Sequence, residues 1–297
     1  MVGRTGAECV ITMFASMGTV NLQDLPIAIT GASSGIGAAT ALACAEAGMP
    51  VVLGARRVER CEALVREITS RGGRAVAVEM DVTVPQDCTR LVDRTIEAFG
   101  SIYSVYANAG YGIESGVMET DDQAMRAIFE TNFFGTMNTI RPAVEAMKLA
   151  GRGHVLICSS CIAKMSIPYY AAYSATKAAQ AHLGRAMNLE LAPLGIHTTV
   201  VCPGPTRTEF SEKVRTEWGS GRMIRHRPEA AADTAEDVAR ATVKALRRPR
   251  AEVWLSWPMR LGMAFCNAFP GVEHFVLRRM VTKREANSER VPAGRVD

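Results

Sequence analysis

Short runs rich in valine and isoleucine alternate along the chain with longer segments in which apolar residues recur at helical spacing. Runs of the first kind are typical of strands in a parallel sheet that is buried on both faces, and their alternation with helices is typical of repeated βαβ units. The pattern predicts seven strands, over residues 25–30, 50–54, 75–80, 102–107, 154–159, 197–202 and 252–256. It predicts helices over residues 35–47, 57–71, 86–99, 121–149, 170–192 and 235–248.

Residues at the boundaries support these helices. Glycine, which readily adopts the left-handed conformation that ends a helix, follows them as Gly48, Gly72, Gly100, Gly151 and Gly195. The last helix begins at Thr234, three residues before Asp237, in a near-capping box. With right-handed crossovers, this order predicts an α/β fold with a Rossmann-type, doubly wound sheet of seven parallel strands and helices on both faces. Ligands of such a sheet lie beyond the carboxyl ends of the strands.

The alternation covers residues 24–256, which we expect to form one domain. We expect residues 1–23 to be a loose N-terminal tail and the irregular segment 205–232 to be a lid, because long irregular segments inside a compact domain are usually functional. An apolar extension, 257–280, and a polar tail to residue 297 follow the last strand. The extension is expected to pack as a helix on the domain's own surface, with an amphipathic element on a membrane or a partner as the alternative.

Composition narrows the class of protein. The 297 residues are 48% hydrophobic and 22% charged, as in ordinary globular proteins. The 34 basic and 30 acidic residues form no block of five like charges, which excludes the electrostatic footprint of a nucleic-acid-binding protein. No apolar run approaches the ~20 residues of a membrane-spanning helix. The expected partner is a small molecule.

Eight scattered cysteines, several of them inside apolar runs, are typical of buried reduced thiols in a cytoplasmic protein. Cys158 and Cys161 form a CxxC pair, a spacing found in redox and zinc sites. No second pair exists for zinc, and residues three apart at the end of a strand point to opposite faces, so structural thiols are favoured. The five histidines show no ligand spacing, and no metal site is predicted.

The first predicted strand runs into Thr30-Gly31-Ala32-Ser33-Ser34-Gly35-Ile36-Gly37, and an alanine-rich helix follows. A glycine-rich turn between strand and helix lets the backbone approach a pyrophosphate, which the helix N-terminus binds through its N–H groups and dipole. Glycine also occurs in turns that bind nothing, but the position in the first βαβ unit favours a dinucleotide site. Its candidate residues are Gly31, Ser33, Ser34, Gly35, Ile36 and Gly37.

The end of the second strand bears on the choice of dinucleotide. About 20 residues beyond the glycines, such sites usually place an acid that binds the ribose 2′-hydroxyl. Here that place holds Ala55, and Arg56 and Arg57 follow. Because guanidinium groups match a phosphate with paired donors, the sequence predicts NADP(H) rather than NAD(H). The alternative is that both arginines merely lie at a helix start, where cations are slightly disfavoured.

A tyrosine and a lysine share one face of the helix predicted over 170–192, because Tyr173 and Lys177 are four residues apart. The preceding strand delivers Ser160 to the carboxyl end of the sheet. Reduction of a carbonyl requires a proton donor for its oxygen, and a phenol with a pKa of about 10 suits that task poorly unless a cation stabilises the phenolate. Lys177 is the candidate cation, and Ser160 is a candidate neutral donor to the carbonyl oxygen.

Between about residues 25 and 256 these features together resemble the short-chain dehydrogenase/reductase superfamily. The motifs are, in chain order, TGASSGIG at 30–37, Asp81-Val82, Asn108-Ala109-Gly110, Asn132, Ser160, Tyr173-x-x-x-Lys177 and Pro203-Gly204. The glycine spacing TGxxxGxG resembles the dehydrogenase branch rather than the epimerases and dehydratases. The resemblance implies an oxidoreductase that interconverts an alcohol and a ketone or aldehyde, and the two arginines make NADP(H) its expected cofactor.

The resemblance also implies roles for the matching residues. Tyr173 is implied as the general acid/base, Lys177 as the group that lowers its pKa and binds the nicotinamide ribose, and Ser160 as the group that orients the substrate. Asn132 is implied to hold a proton-relay water. The implied cofactor contacts are Asp81 and Val82 to adenine, Asn108, Ala109 and Gly110 along the cleft, and Thr206 and Thr208, after Pro203 and Gly204, to the carboxamide and phosphates.

Two of these residues also have a purely structural interpretation. Asn132 stands in a strongly apolar helical stretch, where a buried and hydrogen-bonded amide is expected and can interrupt the helix. Asp81 can cap a helix or form a turn before Pro85.

Other aspects of the function stay open at this point. A catalytically idle dinucleotide-binding regulator is the competing function, although it would be expected to have lost one of Ser160, Tyr173 and Lys177. A largely apolar substrate pocket is suggested by Tyr111, Ile113, Met165, Ile167, Tyr169, Phe210 and Trp218, while arginines in the lid leave an anionic group open. The resemblance implies a homodimer or homotetramer formed through the helices at 121–149 and 170–192.

Overall fold

In the computed structural model, which describes residues 19–210 and 232–288, a parallel sheet of seven strands forms the centre of the molecule. Its strands are β1 (Ile27–Thr30), β2 (Val51–Ala55), β3 (Ala75–Glu79), β4 (Ser104–Ala107), β5 (Gly153–Cys158), β6 (Ile196–Cys202) and β9 (Glu252–Trp254). The strand order is β3-β2-β1-β4-β5-β6-β9. This is the Rossmann-like, doubly wound arrangement predicted, and the largest change in a strand boundary is two residues.

The strands form where the sequence has its densest apolar runs. Every residue of β1, β2, β4 and β5 is buried, as expected of central strands covered on both faces. Neighbouring residues of β1 lie in separate hydrophobic clusters, Ile27 and Ile29 in one and Ala28 in the other. Side chains alternate between the two faces of a strand, so the sheet has a core on each side.

Helices cover both faces of this sheet. They are α1 (Gly35–Glu46), α2 (Val58–Ser70), α3 (Pro85–Phe99), α4 (Asp122–Phe129), α5 (Gly135–Ala150), α6 (Ala171–Leu191) and α7 (Ala235–Arg247). Helices α1, α2 and α7 contribute to one cluster, and α3, α5 and α6 to the other. All five glycines at the predicted helix ends have positive φ angles, between 63° and 86°. The capping box of α7 is present, because Asp237 N donates to Thr234 Oγ1 and Thr234 N donates to Asp237 Oδ2.

The helix predicted over 121–149 is interrupted at Asn132, the residue at which the sequence allowed a break. Between α4 and α5 the backbone widens into a π-helical turn, Glu130–Phe134, which contains Asn132. The Asn132 carbonyl accepts hydrogen bonds from Thr136 Oγ1 at 2.7 Å and from Gln180 Nε2 at 2.6 Å. Side-chain donors thus bond the backbone within this turn, and π turns of this kind often accompany functional residues.

The predicted tail and lid lie only partly within the described residues. Residues 1–18 and 211–231, the latter with Trp218, lie outside them. Leu22 is only 2% exposed and Val20 N donates to the carbonyl of Arg247, so the end of the predicted tail packs on the domain. Two short strands, β7 (Thr206–Arg207) and β8 (Asp233–Thr234), pair in parallel and hold the two described ends of the lid side by side.

The extension after β9 forms two helices, α8 (Trp257–Ala268) and α9 (Pro270–Ser288). Asn267 Nδ2 donates to the carbonyl of Lys164, and Glu273 Oε1 accepts from Ser166 N, so both helices contact the segment that follows β5. Within the described ranges, no helix combines the length and the apolar character needed to span a bilayer.

Candidate cofactor and catalytic site

The turn between β1 and α1 needs glycine at its three glycine positions. Gly31 and Gly35 have φ angles of 65° and 56°, in the left-handed region that other residues rarely adopt. A Cβ atom at Gly37 would lie 2.3 Å from the carbonyl oxygen of Gly31. The turn is therefore folded tightly on itself, at the carboxyl end of β1 where the sheet order reverses and ligands of doubly wound sheets bind.

The first turn of α1 has the features of an anion site. Ser34, at the N-cap position, makes no capping hydrogen bond with its side chain, and the first turn has no acidic residue. N–H groups at a helix start have no partner within the helix, and they bind phosphate where side chains leave them accessible. Ile36 and its neighbours stand at this helix start, and their contact with a pyrophosphate stays a prediction.

Of Arg56 and Arg57, the two candidates for a ribose phosphate, only Arg57 contacts this turn. Arg57 Nη2 donates to Ser33 Oγ at 3.1 Å and to Ser34 Oγ at 3.0 Å. The Arg56 side chain is 81% exposed, and its Nη1 lies 3.9 Å from Asp81 Oδ2. Arg57 therefore contacts the glycine turn, whereas Arg56 extends into solvent.

An acidic residue from the beginning of the lid already engages Arg57. Glu209 Oε2 accepts from Arg57 Nη1 at 3.1 Å, and its Oε1 accepts from Arg60 Nη1 at 2.6 Å. The hydrogen bond from Arg60, together with Arg57, holds the pKa of Glu209 below its usual value. This carboxylate neutralises the charge that a phosphate would otherwise meet.

The loop after β3 is held by its own hydrogen bonds. Asp81 Oδ1 accepts from the backbone N–H of Thr83 at 2.9 Å and from its hydroxyl at 2.8 Å, which is the turn contact considered in the sequence. Val82 is buried, and its carbonyl accepts from Asn138 Nδ2 at 3.0 Å. The contact of both residues with adenine stays a prediction.

The Asn108-Ala109-Gly110 motif after β4 lies between the glycine turn and α6. Asn108 Nδ2 donates to the carbonyls of Thr30 and Gly31, at 3.0 and 3.3 Å. The backbone N–H of Ala109 donates to Thr30 Oγ1 at 3.3 Å. A Cβ atom at Gly110 would lie 3.5 Å from Lys177 Nζ, so the chain passes directly beside the lysine there.

The segment after β6 lies against the glycine turn from the other side. The carbonyl of Pro203 accepts from Cys161 N at 2.8 Å, and Thr206 Oγ1 donates to the carbonyl of Gly204 at 2.9 Å. A Cβ atom at Gly35 would lie 3.2 Å from Thr208 Cγ2. Residues 203–208 therefore border the same crevice as α1.

Ser160 and Tyr173 meet at the carboxyl end of β5. Ser160 stands directly before a 3₁₀ turn, Cys161–Lys164, and Tyr173 lies in the first turn of α6. Burial of the hydroxyl raises the pKa of Tyr173, the nearby Cys158 and Cys161 add to the rise, and a side-chain hydrogen bond with Ser160 opposes it. The hydroxyl is therefore protonated at neutral pH, as a proton donor must be.

Lys177 lies next to the aromatic ring of Tyr173. Its side chain is 4% exposed, its Nζ donates to the carbonyl of Cys158 at 2.8 Å, and Nζ lies 5.5 Å from the centroid of the Tyr173 ring. Burial lowers the pKa of Lys177, and the neighbouring Cys158 and Cys202 oppose this. Burial is the largest influence on the Tyr173 pKa. The role of Lys177 in lowering that pKa, which the resemblance implies, stays a prediction.

Asn132 connects three elements of the site. Its Oδ1 accepts from Tyr111 N at 2.9 Å, and its Nδ2 donates to the Tyr111 carbonyl at 2.9 Å and to Thr176 Oγ1 at 3.0 Å. Asn132 and Thr176 are both fully buried. The amide is buried and bonded as predicted, and its role with a relay water stays a prediction.

The thiols of the CxxC pair are both free and buried. Burial raises the pKa of Cys161 to about 11 and also raises the pKa of Cys158. Neither thiol ionises readily at neutral pH, which is typical of structural rather than reactive cysteines.

Apolar side chains pack beside Tyr173. Ile113 packs in one cluster with Tyr111 and Tyr173, and the Phe210 ring lies 5.6 Å from the Tyr173 ring. Tyr169 has a φ angle of 67°, unusual for a residue with a side chain, and its carbonyl accepts from Ser115 N. Of the predicted pocket residues, the structure brings Tyr111, Ile113 and Phe210 to the tyrosine.

Three residues of the candidate site were not predicted from the sequence: Thr176, Glu209 and Arg60. Thr176 had a usable signal, because it stands inside the Tyr173-x-x-x-Lys177 motif. Glu209 and Arg60 had none, since 149 residues separate them along the chain and only the folded structure brings them together.

Comparison with known proteins supplies the context for this geometry. The model of a family described as short chain dehydrogenase matches residues 26–218. An uncharacterised oxidoreductase of Listeria monocytogenes is 34% identical over 197 residues, which are 66% of this chain and 79% of that protein.

Two solved structures share the fold. A short-chain dehydrogenase/reductase from Burkholderia phymatum in complex with NAD superposes with a TM-score of 0.77 at 21% identity, over 86% of this chain and 96% of that one. An alcohol dehydrogenase from Thermococcus sibiricus complexed with 5-hydroxy-NADP superposes with a TM-score of 0.68 at 28% identity, over 77% of this chain and 94% of that one.

Proposed function

Because the chain belongs to the short-chain dehydrogenase/reductase family of oxidoreductases, we propose that it uses NADP(H) to interconvert an alcohol and a ketone or aldehyde, with Tyr173 as general acid/base. The observation that carries this proposal is the position of Lys177, buried and 5.5 Å from the centroid of the Tyr173 ring. A buried cation beneath a phenol stabilises the phenolate that forms when the proton leaves.

The chain's own groups account for the proton. In the reductive direction, the Tyr173 hydroxyl donates its proton to the substrate oxygen, and the Lys177 ammonium stabilises the resulting phenolate. The Ser160 hydroxyl donates a hydrogen bond to the same oxygen and orients it. Asn132 and Thr176 hold α6 in position through their 3.0 Å hydrogen bond. A bound nicotinamide supplies or accepts the hydride.

The residues present fit a dinucleotide. Support comes from the two left-handed glycines, the uncapped first turn of α1, and Thr208 against Gly35. The preference for NADP(H) is supported by Arg57, whose guanidinium lies on Ser33 and Ser34 at the end of the turn, and by Ala55 in place of an acid. The two solved relatives were crystallised with an NAD and an NADP compound, respectively, so the preference rests on Arg57.

A panel of ketones, aldehydes and alcohols, monitored by NADPH absorbance, tests the proposal. We expect at least one largely apolar carbonyl compound to be reduced, because Ile113, Tyr111 and Phe210 pack beside the tyrosine. The competing proposal, an idle dinucleotide-binding regulator, predicts NADPH binding without turnover of any compound. Turnover that persists with NADH but is absent with NADPH would overturn the cofactor assignment alone.

We propose a cytoplasmic location and self-association as further properties. The seven described cysteines are all free thiols, which supports a reducing compartment. Exposed apolar residues on the helices expected to assemble, Phe134, Leu149 and Leu189, support a dimer or tetramer. Light scattering at micromolar concentration tests this, with a multimer expected for the natural chain and a smaller species for Leu189→Glu. A monomeric natural chain contradicts it.

A further inference from the structure

Large apolar side chains are exposed along both α8 and α9, and we call this set of residues the apolar ridge. It consists of Trp257, Leu261, Phe265, Phe269, Val272, Phe275 and Val276, whose exposures range from 37% to 72%. The first four recur every four residues and therefore form one stripe. Single exposed apolar residues are ordinary, whereas a concentration of seven within one short segment marks an interaction surface.

Contacts on the opposite side fix the orientation of the ridge. Asn267 Nδ2 donates to the Lys164 carbonyl at 2.8 Å, and Glu273 Oε1 accepts from Ser166 N at 2.9 Å. Leu277 is 7% exposed and is the buried apolar contact of α9 among its described side chains. Because these groups bind the domain, rotation of the helices to bury the ridge would break them.

The charges around the ridge are mostly positive. Residues 257–288 contain five basic and two acidic residues, and one of the acids, Glu273, is turned toward the domain. Arg260, Arg278 and Arg279 are exposed, and the Arg279 guanidinium lies 4.5 Å above the centroid of the Phe275 ring. Aromatic and aliphatic side chains flanked by arginine are typical of helices that lie in the interface of an anionic bilayer.

We propose that α8 and α9 bind the surface of anionic lipid bilayers, with the ridge in the headgroup region and the arginines on lipid phosphates. A second copy of the chain fits less well, because symmetric pairing of the ridge would bring the arginines of both copies together. The contacts with Lys164 and Ser166 place this surface next to the segment that follows Ser160. An apolar substrate dissolved in the bilayer would then be close to the site.

Vesicle flotation of the full-length protein tests the proposal. We expect it to float with vesicles of phosphatidylcholine and phosphatidylglycerol, to float weakly with phosphatidylcholine alone, and to lose binding as salt is raised. Arg278→Glu with Arg279→Glu should weaken binding by about tenfold or more, since each basic residue near an anionic surface contributes strongly. Phe265→Glu with Phe269→Glu should also abolish flotation.

Met118→Glu is the matched control, because Met118 is 91% exposed and lies in the loop after β4. Circular dichroism checks that each variant is folded. If the double phenylalanine variant unfolds the extension, the double arginine variant still tests the proposal, because both arginines are exposed. The proposal is overturned by a natural chain that floats with neither vesicle, or equally with both. A third result also overturns it: the natural chain binds no vesicles, and light scattering gives a smaller molecular mass for the phenylalanine variant than for the natural chain. The ridge would then join two copies of the chain.

Discussion

The candidate site has two ends, a proposed catalytic end around Tyr173 and a proposed ribose end around Arg57. The polar and charged side chains are buried at the first end and partly exposed to solvent at the second. At the catalytic end, Lys177 is 4% exposed, and Asn132 and Thr176 are fully buried and joined by a 3.0 Å hydrogen bond. At the ribose end, Arg57 is 33% exposed and Glu209 is 42% exposed, although their 3.1 Å contact is almost as short. Similar distances therefore occur in very different surroundings.

This difference in burial indicates which of the contacts a bound ligand can replace. In a buried network the electrostatic interactions are strong and an unpaired group is costly, so each residue has one arrangement. A solvated ion pair such as Arg57–Glu209 contributes ~0–1 kcal/mol and can be replaced by another anion. We therefore expect substitutions at the catalytic end to change turnover by orders of magnitude, and those at the ribose end to change affinity and cofactor choice.

The largest effect is expected for Tyr173→Phe, which removes only the hydroxyl. Turnover should fall by about 10²- to 10⁴-fold, the usual contribution of general acid catalysis, while NADPH still binds. Steady-state carbonyl reduction and NADPH titration measure the two effects. Tyr103→Phe, at the amino end of β4, is the matched control and should retain turnover. Near-normal turnover of the Tyr173→Phe protein would mean that another group donates the proton.

Lys177→Met is expected to damage both binding and turnover, and its pH profile is the sharper measurement. Alcohol oxidation requires the Tyr173 phenolate, and burial already raises that pKa, so the oxidation rate should increase with pH. Loss of a cation this close should raise the pKa further and move the increase to higher pH by about one unit or more. Lys177→Arg keeps the charge and should retain the original profile. An unchanged profile in Lys177→Met contradicts the role given to the ammonium.

At the ribose end, Arg57→Ala should weaken NADPH binding by about ten- to a hundredfold, because a hydrogen bond to a charged group contributes ~1.5–3 kcal/mol. NADH binding should change little. Arg56→Ala is the matched control, and since Arg56 is 81% exposed its effect should be much smaller. Titration of both cofactors with both variants measures this. Equal losses from the two substitutions would refute the distinction between the arginines.

Glu209→Gln should have the smallest effect and the opposite sign. Removal of the carboxylate that occupies Arg57 and Arg60 should strengthen NADPH binding, by at most about fivefold for an exposed ion pair, and leave NADH unaffected. Glu236→Gln, an acidic residue in the first turn of α7, serves as the charge-matched control. Weaker NADPH binding by Glu209→Gln would show that Glu209 supports the site instead of competing for it.

The order and type of elements could be predicted from the sequence because they depend on neighbouring residues. The period of the apolar positions distinguishes strand from helix, and glycines that adopt positive φ angles end the helices. The glycine turn and the Tyr173–Lys177 pair belong to the same class, since each is a short motif whose spacing determines which groups face the same way.

Contacts between distant residues were decided only by the tertiary structure. The sequence by itself offers Arg56 and Arg57 as equals, and the path of the chain after β2 turns one to Ser33 and Ser34 and leaves the other in solvent. Glu209 reaches Arg57 across 152 residues because the strands are parallel, so that the carboxyl ends of β2 and β6 face the same edge of the sheet, and because the segment after β6 runs back to the glycine turn. Local periodicity determined the fold of this protein, whereas strand order and loop path determined which charges meet in its site.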